Sequence, residues 1–127
     1  MSKYRLLALD LDGTTLLNNH EISRNTSLAI QNVVKAGIIV VFSTGRGVPN
    51  TKIYWGKLGI SFPLVLLNGA EIWMEPGKLL ERHLINIDTF QKLHKIAIDT
   101  HSWFWGYSEK GLFRKRDWPA NFLNNIG

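Results

Sequence analysis

Cysteine is absent from this chain of 127 residues, and so is any hydrophobic run long enough to cross a membrane. Without cysteine there are no disulfides and no thiolate metal sites, which fits a cytoplasmic protein. No stretch approaches the about 18 apolar residues of a membrane-spanning helix. The apolar run at residues 6–9 is too short for the core of a signal peptide. We therefore predict a globular cytoplasmic chain.

A strong excess of charge of one sign is also missing. The formal net charge is +5, from 15 Lys and Arg against 10 Asp and Glu. Residues 1–82 carry nine basic and six acidic side chains, and residues 83–127 carry six and four, so the excess is +3 and +2. The one basic cluster, residues 114–116, directly follows Leu112 and Phe113 and is typical of a solvated strand end. We predict no nucleic-acid partner and no membrane partner, while a mild positive field suits a small phosphorylated substrate.

The first half of the chain alternates apolar strands with helices. Ser23 is a candidate N-cap for a helix through about Lys35, and Gly37 stands where a helix end favours positive φ. The run at residues 38–42 is apolar and mostly β-branched, which predicts a strand buried on both faces. Strand, helix and strand with short links form a right-handed βαβ unit. We predict an α/β fold with a Rossmann-like parallel sheet, whose three strands lie at residues 6–9, 38–42 and 63–67.

Small polar residues follow each of these strands. Asp10 and Asp12 follow the first, residues 43–47 the second and residues 68–70 the third. Ligands of open parallel sheets bind outside the carboxyl ends of the strands. If the strand periodicity continues, the two carboxylates share one side and need Mg²⁺, a shared proton or burial of only one of them. Taken alone, the pattern Asp-x-Asp-Gly favours an ordinary turn, and the motifs downstream reverse that preference.

Pro49 to Leu58 form a second predicted helix between the second and third strands, and its first turn is suited to hold an anion. The pattern changes after the third strand. Residues 71–83 then predict a β-hairpin with a Glu-Pro-Gly-Lys turn. Residues 88–115 predict a helix, with Phe90, Leu93, Ile96 and Ala97 on one face, and two short strands.

The motifs at the three strand ends together resemble those of the haloacid dehalogenase superfamily, in particular its Cof-type sugar-phosphatase branch. They are Asp-x-Asp-Gly-Thr-x-Leu from Asp10, Ser-Thr-Gly-Arg from Ser43 and Asn-Gly-Ala from Asn68. The resemblance implies that residues 1–83 are a partial core with a hairpin and that residues 84–127 begin a cap domain.

The resemblance also implies a chemistry. The enzyme would be a hydrolase, a Mg²⁺-dependent phosphatase of small phosphate esters such as sugar phosphates that works through an aspartyl-phosphate. Asp10 would be the nucleophile, and Asp12 the general acid and then the general base. Mg²⁺ would be bound by the Asp10 carboxylate and the Asp12 backbone carbonyl.

The same resemblance implies a substrate phosphate-binding site. Thr44, or Ser43 in its place, would donate a hydrogen bond to a phosphate oxygen, while Arg46 and Asn68 would line the pocket. From its chemistry alone, Arg46 also suits a bidentate phosphate contact, although a surface arginine after a turn is an alternative.

One part of the family pattern has no counterpart in the chain. The family places a lysine and a Gly-Asp-x-x-x-Asp segment after the cap, and no such segment occurs here. We therefore expect a truncated phosphatase, with an unfinished metal site and weak or absent activity in isolation. We also expect an open sheet edge, covered by a partner or by a second copy in a homodimer.

Two other functions remain open. A non-catalytic fragment or phosphate-binding module would keep the fold without the reaction. A phosphoacceptor signalling domain is less favoured, because such domains carry their acceptor aspartate after the third strand, where this chain has Asn68.

Aromatic and histidine residues near the end of the chain suggest two further sites. Residues 103–107 contain four aromatic side chains, which suit either a stacking platform or a strand packed on a helix. His94 and His101 lie seven positions apart without a third ligand, so solvated histidines are favoured over a metal site.

Overall fold

A computed structural model of the chain describes residues 3–108 and 111–114. The chain divides into two compact units, residues 1–83 and 84–127. No helix in the described ranges is both long and apolar enough to cross a membrane. The assignment of the two units to a partial core and a cap stays a prediction.

The first unit contains five strands and two helices. They are β1 (Leu6–Leu9), α1 (Arg24–Lys35), β2 (Ile39–Ser43), α2 (Val48–Leu58), β3 (Leu64–Leu66), β4 (Glu71–Glu75) and β5 (Lys78–Arg82).

One sheet contains all five strands, in the order β1-β2-β3-β4-β5. The first three are parallel, with Leu9 paired to Phe42 and Ser43 paired to Val65. β4 and β5 continue the sheet as an antiparallel hairpin. The predicted α/β fold with its parallel sheet is confirmed, and the register places Asp10 beside Ser43 at the carboxyl ends of β1 and β2.

Local signals in the sequence determine where both helices begin and end. The Ser23 side chain accepts a hydrogen bond of 3.0 Å from the Thr26 N–H and caps α1. Gly37 has a φ of +80° just after α1, and Gly59 ends α2 with a φ of +63°. Such left-handed backbone is accessible to glycine without the Cβ clash that other residues meet.

The core lies on one face of the sheet. Val40 and Phe42 are 2% and 0% exposed, and they pack with Ile30 of α1 and Leu58 of α2. Ile39 of the same strand is 55% exposed, as its neighbour Leu6 in β1 is 54% exposed. The prediction that β2 is buried on both faces is therefore wrong, because α1 and α2 both pack on the Val40 side.

The described residues of the second unit form α3 (Ile87–Asp99) and a hairpin of β6 (Trp105–Ser108) and β7 (Gly111–Arg114). Phe104 packs on α3, with ring centroids 5.5 Å from Phe90 and 5.4 Å from His94. Of the predicted apolar face of α3, Ala97 is buried, whereas Ile96 is 57% exposed. Residues 109–110 and 115–127 lie outside the described residues, and so does most of the basic cluster at residues 114–116.

Candidate active site

A tight turn follows β1 and presents the Asp10 side chain to solvent. Asp10 has extended backbone, and the next residues form a turn closed by the Leu16 N–H, which donates to Leu11 O at 2.8 Å. Gly13 allows this turn because its φ is +74°. The buried Thr15 hydroxyl donates to the Asp10 carbonyl at 2.5 Å. The backbone of Asp10 is thus fixed while its carboxylate is exposed.

The Asp10 carboxylate has a weak hydrogen-bond partner. The Thr14 hydroxyl donates to Asp10 Oδ2 at 3.4 Å, near the upper limit for such a bond. A carboxylate held this loosely keeps its lone pairs accessible to a metal ion or an electrophile.

Asp12 is bound very differently, by a bidentate ion pair. Arg46 Nε donates to Asp12 Oδ2 at 2.7 Å, and Nη2 donates to Oδ1 at 2.6 Å. The Asp12 side chain is 48% exposed, whereas the Arg46 side chain is 10% exposed. The hydrogen bonds from Arg46 hold the pKa of Asp12 below its ordinary value of 3.8 against the opposing effect of partial burial, and the charge of Arg46 adds to the lowering. The same pair raises the pKa of Arg46 further above its ordinary value.

Two more residues hold the Arg46 guanidinium. Nη2 lies 3.0 Å from His20 Nδ1, and Nη1 donates to the Tyr54 hydroxyl at 3.4 Å. The Tyr54 hydroxyl in turn donates to the His20 carbonyl at 3.2 Å. Tyr54 is 1% exposed, so this network is anchored in the core beneath α2.

The ends of β2 and β3 are connected to each other. The Asn68 N–H donates to the Thr44 carbonyl at 3.2 Å, and the Arg46 N–H donates to Thr44 Oγ1 at 3.2 Å. A Cβ on Gly45 would lie 3.1 Å from Asn68 Oδ1, so the glycine makes room for the amide of Asn68. The Thr44 hydroxyl accepts one hydrogen bond here and retains its own proton to donate. Thr44 is buried, while Ser43 and Asn68 are exposed.

The oxygen atoms at the turn are of the type that Mg²⁺ binds, but they are too few to complete its coordination. Asp10 offers a carboxylate and Asp12 a backbone carbonyl, which are the oxygen donors that this hard cation prefers. Within residues 3–108 and 111–114, no group of three or more acidic or histidine side chains could hold a metal ion. The Asp12 carboxylate is engaged by Arg46. The described residues therefore fit part of an octahedral magnesium site.

The fold links four of the predicted residues by consecutive hydrogen bonds, in which Asn68 donates to Thr44, and Arg46 donates to both Thr44 and Asp12. Sequence reasoning missed the contributions of His20 and Tyr54. These two lie 34 positions apart and carry no spacing signal, so only the fold reveals that they meet.

Comparison with known proteins gives a consistent result. The sequence model of one family, described as haloacid dehalogenase-like hydrolase, matches residues 7–125. One relative is 5-amino-6-(5-phospho-D-ribitylamino)uracil phosphatase YcsE of Bacillus subtilis, which is 31% identical to this chain over 121 residues. The match covers 95% of this chain and 48% of YcsE. The chain thus spans about half the length of this curated relative.

Solved structures share the fold. The phosphatase BT1666 of Bacteroides thetaiotaomicron has a TM-score of 0.81 and 26% identity, with 97% of this chain and 46% of that chain covered. The subclass IIB sugar phosphatase BT4131 has a TM-score of 0.78 and 17% identity, with 96% and 47% covered. At the lower identity the likeness establishes the fold alone.

Proposed function

We propose a phosphatase function for the Asp10 turn, starting from the fact that this chain belongs to the haloacid dehalogenase-like hydrolase family. The observation that carries the proposal is the loosely held Asp10 carboxylate, exposed where β1 ends beside β2. The substrate class is a small phosphate ester such as a sugar phosphate, as expected of the Cof-type branch. The phosphatase homologue YcsE supports this class.

In the proposed mechanism, Asp10 is the nucleophile. Its carboxylate oxygen attacks phosphorus, the bond between phosphorus and the ester oxygen breaks, and the leaving alkoxide takes a proton from Asp12. Asp12 then accepts a proton from the water that attacks the aspartyl-phosphate, which releases inorganic phosphate and restores Asp10. The ion pair with Arg46 favours the ionised form of Asp12, which is the form that the second step needs. The first step needs the protonated form, so Asp12 has to take up a proton before the ester bond breaks.

We propose that the polar residues after β2 and β3 bind the phosphate group. The Thr44 hydroxyl has a proton to donate, and its position is fixed by the hydrogen bond from the Arg46 N–H. Ser43, at the end of the strand that pairs with β1, is the alternative donor, and the exposed amide of Asn68 would line the pocket.

Mg²⁺ would be held by the Asp10 carboxylate and the Asp12 carbonyl. When bound, such an ion neutralises charge between nucleophile and phosphate. Because the described residues supply only part of the donor set, we propose that the isolated chain is a weak phosphatase or an inactive one. Clear and efficient Mg²⁺-dependent turnover of p-nitrophenyl phosphate by the isolated chain that disappears in Asp10→Asn would contradict this part of the proposal.

We further propose that additional polypeptide covers the open face and edge at β1. Leu6 and Ile39 pair across this face and are about half exposed, although apolar parallel strands are normally buried on both faces. The occupant we favour is a segment like the part of YcsE that the match leaves out, about half of that protein. Light scattering distinguishes a second copy of the chain from such a segment. A homodimer of the isolated chain would contradict the proposal, whereas a monomer that binds the added YcsE segment would support it.

A non-catalytic phosphate-binding module is the second candidate, favoured by the incomplete metal donor set. Titration with phosphate and Mg²⁺, followed by a turnover assay, distinguishes the two. Binding at Thr44 with phosphoryl transfer to Asp10 supports the phosphatase, whereas binding without any transfer supports the module. A phosphoacceptor signalling domain stays less favoured because of Asn68.

A further inference from the structure

We propose that Arg46 is a positioning residue that fixes Asp12, rather than a ligand of the substrate phosphate, and that Tyr54 and His20 keep it in that role. The inference rests on the proposed acid and base function of Asp12. It replaces the bidentate phosphate contact that the chemistry of arginine alone suggests.

Most of the N–H donors of the Arg46 guanidinium already have partners within the protein. An arginine side chain has five N–H donors. Nε and one Nη2 hydrogen bind the Asp12 carboxylate, the other Nη2 hydrogen points to His20 Nδ1, and one Nη1 hydrogen points to the Tyr54 hydroxyl. One Nη1 hydrogen is left. A bidentate grip on phosphate needs two parallel donors, so Arg46 would have to release at least one of its present partners.

The network of Arg46 and Tyr54 is largely buried. The Arg46 side chain is 10% exposed, and Tyr54 is 1% exposed. The phenol accepts from Arg46 and donates to the His20 carbonyl, so both of its roles are used. Releasing Arg46 towards a ligand would leave a buried hydroxyl without its donor, which is unfavourable.

The loop that carries His20 is held in place by Arg46 and Tyr54. Leu16 and Ile22 form an antiparallel bridge, and the Leu17 N–H donates to Glu21 O at 2.8 Å, which closes a short loop next to the turn. His20 has a φ of +59°, a strained value for a residue with a side chain. Tyr54 and Arg46 hold its carbonyl and its ring. The α2 helix thereby fixes the loop and the orientation of Asp12 together.

Nuclear magnetic resonance of the Arg46 side chain tests the inference in the isolated chain. The Nε–H signal, assigned by its loss in Arg46→Lys, should be protected from solvent exchange. In Asp12→Asn it should move to the position of an unpaired arginine and exchange more than about ten-fold faster, since charge-assisted bonds are lost. In Tyr54→Phe the Nη1 hydrogens, one of which points to the phenol, should exchange about five-fold faster, as expected for one neutral hydrogen bond.

Thr51→Val is the matched control. It removes a buried hydroxyl from the same helix, one that bonds to the Gly47 carbonyl and is not part of the Arg46 network. Exchange at Arg46 should be unchanged in this variant. If Tyr54→Phe does not fold, Asp12→Asn, made at a half-exposed side chain, still decides the matter. An Nε–H signal that is unchanged in Asp12→Asn overturns the proposal.

Titration with inorganic phosphate and Mg²⁺ separates this inference from the function on which it rests. We expect the Thr44 amide signal to shift while the Arg46 Nε–H signal stays in place. If both signals shift with one dissociation constant, Arg46 is a phosphate ligand and the inference fails. If neither shifts, the proposed phosphate site fails, while the Asp12→Asn comparison still tests the role of Arg46.

Discussion

At the scale of the residue, Asp10 and Asp12 show how neighbouring carboxylates acquire different chemistry. Asp10 receives a single long hydrogen bond from Thr14, whereas Asp12 receives two short ones from a guanidinium. The repulsion expected between two carboxylates is thus reduced by giving one of them a fixed cation. The pattern Asp-x-Asp predicts the pair, but not which member is neutralised.

The ion pair predicts how stability depends on pH. Because the folded-state pKa of Asp12 lies below its ordinary value of 3.8, its contribution is fully present above that value and is lost as the pH falls through the folded pKa. The difference in unfolding free energy between the wild type and Asp12→Asn should therefore shrink below about pH 4. Urea denaturation from neutral to acidic pH measures it.

Arg46→Gln provides the control for this measurement. In that background the cation is gone, so Asp12→Asn should produce a difference that changes far less with pH. An equal change in both backgrounds would contradict the assignment of the lowered pKa to Arg46.

Thr44 carries the residue-scale prediction for ligand binding. Thr44→Val should weaken the binding of inorganic phosphate about ten-fold or more, since a hydrogen bond to a charged group is lost. Thr51→Val removes a buried hydroxyl from α2 and should leave phosphate affinity unchanged. Isothermal titration calorimetry compares the two, and equal affinity in Thr44→Val and the wild type would refute the role of Thr44.

At the scale of the element, local chemistry predicts helix ends well. Ser23 caps α1 and Gly37 follows that helix with positive φ as expected, because both signals act within a few residues. Burial is harder to predict, and the exposed face of β2 shows why. An apolar β-branched run has the same sequence pattern whether one face of the strand is covered or both. The elements that cover it are distant in sequence. The contact between Tyr54 and His20 is hidden for the same reason.

The Ser23 cap gives a prediction for α1. Ser23→Ala should lower the free energy of unfolding by about 1 kcal/mol, because the Thr26 N–H loses its acceptor. Ser27→Ala, inside the same helix, should cost less than about 0.5 kcal/mol, since alanine is the better helix former. Chemical denaturation measures both, and equal losses would contradict the cap.

At the scale of the whole molecule, the first unit has one well-packed face and one open face. A parallel sheet covered on one side keeps its core, yet it leaves apolar strand residues in contact with water. The additional polypeptide proposed above would cover this face, and the chain spans 48% of the length of YcsE. The candidate site lies at the carboxyl end of β1, the strand at the edge of the sheet. We therefore expect that a polypeptide which covers the open face of the sheet would also complete the candidate site.

Neighbouring residues of β2 test the asymmetry of the sheet. Val40→Ala, on the covered face, should cost about 2 kcal/mol or more of unfolding free energy. Ile39→Thr, on the open face, keeps β-branching and should cost less than about 0.5 kcal/mol in the isolated chain. Urea denaturation compares them. A larger loss in Ile39→Thr would mean that the open face is already covered in solution.

Trapping of a phosphorylated aspartate tests the central claim most directly. The isolated chain is incubated with acetyl phosphate and Mg²⁺, reduced with borohydride, and mapped by mass spectrometry. We predict that the label lies on Asp10, depends on Mg²⁺, is lost in Asp10→Asn and persists in the control Asp88→Asn. This covalent step needs no turnover, so it is compatible with a weak phosphatase. Absence of label at Asp10, or a label that survives in Asp10→Asn, would contradict the assignment of Asp10 as the nucleophile.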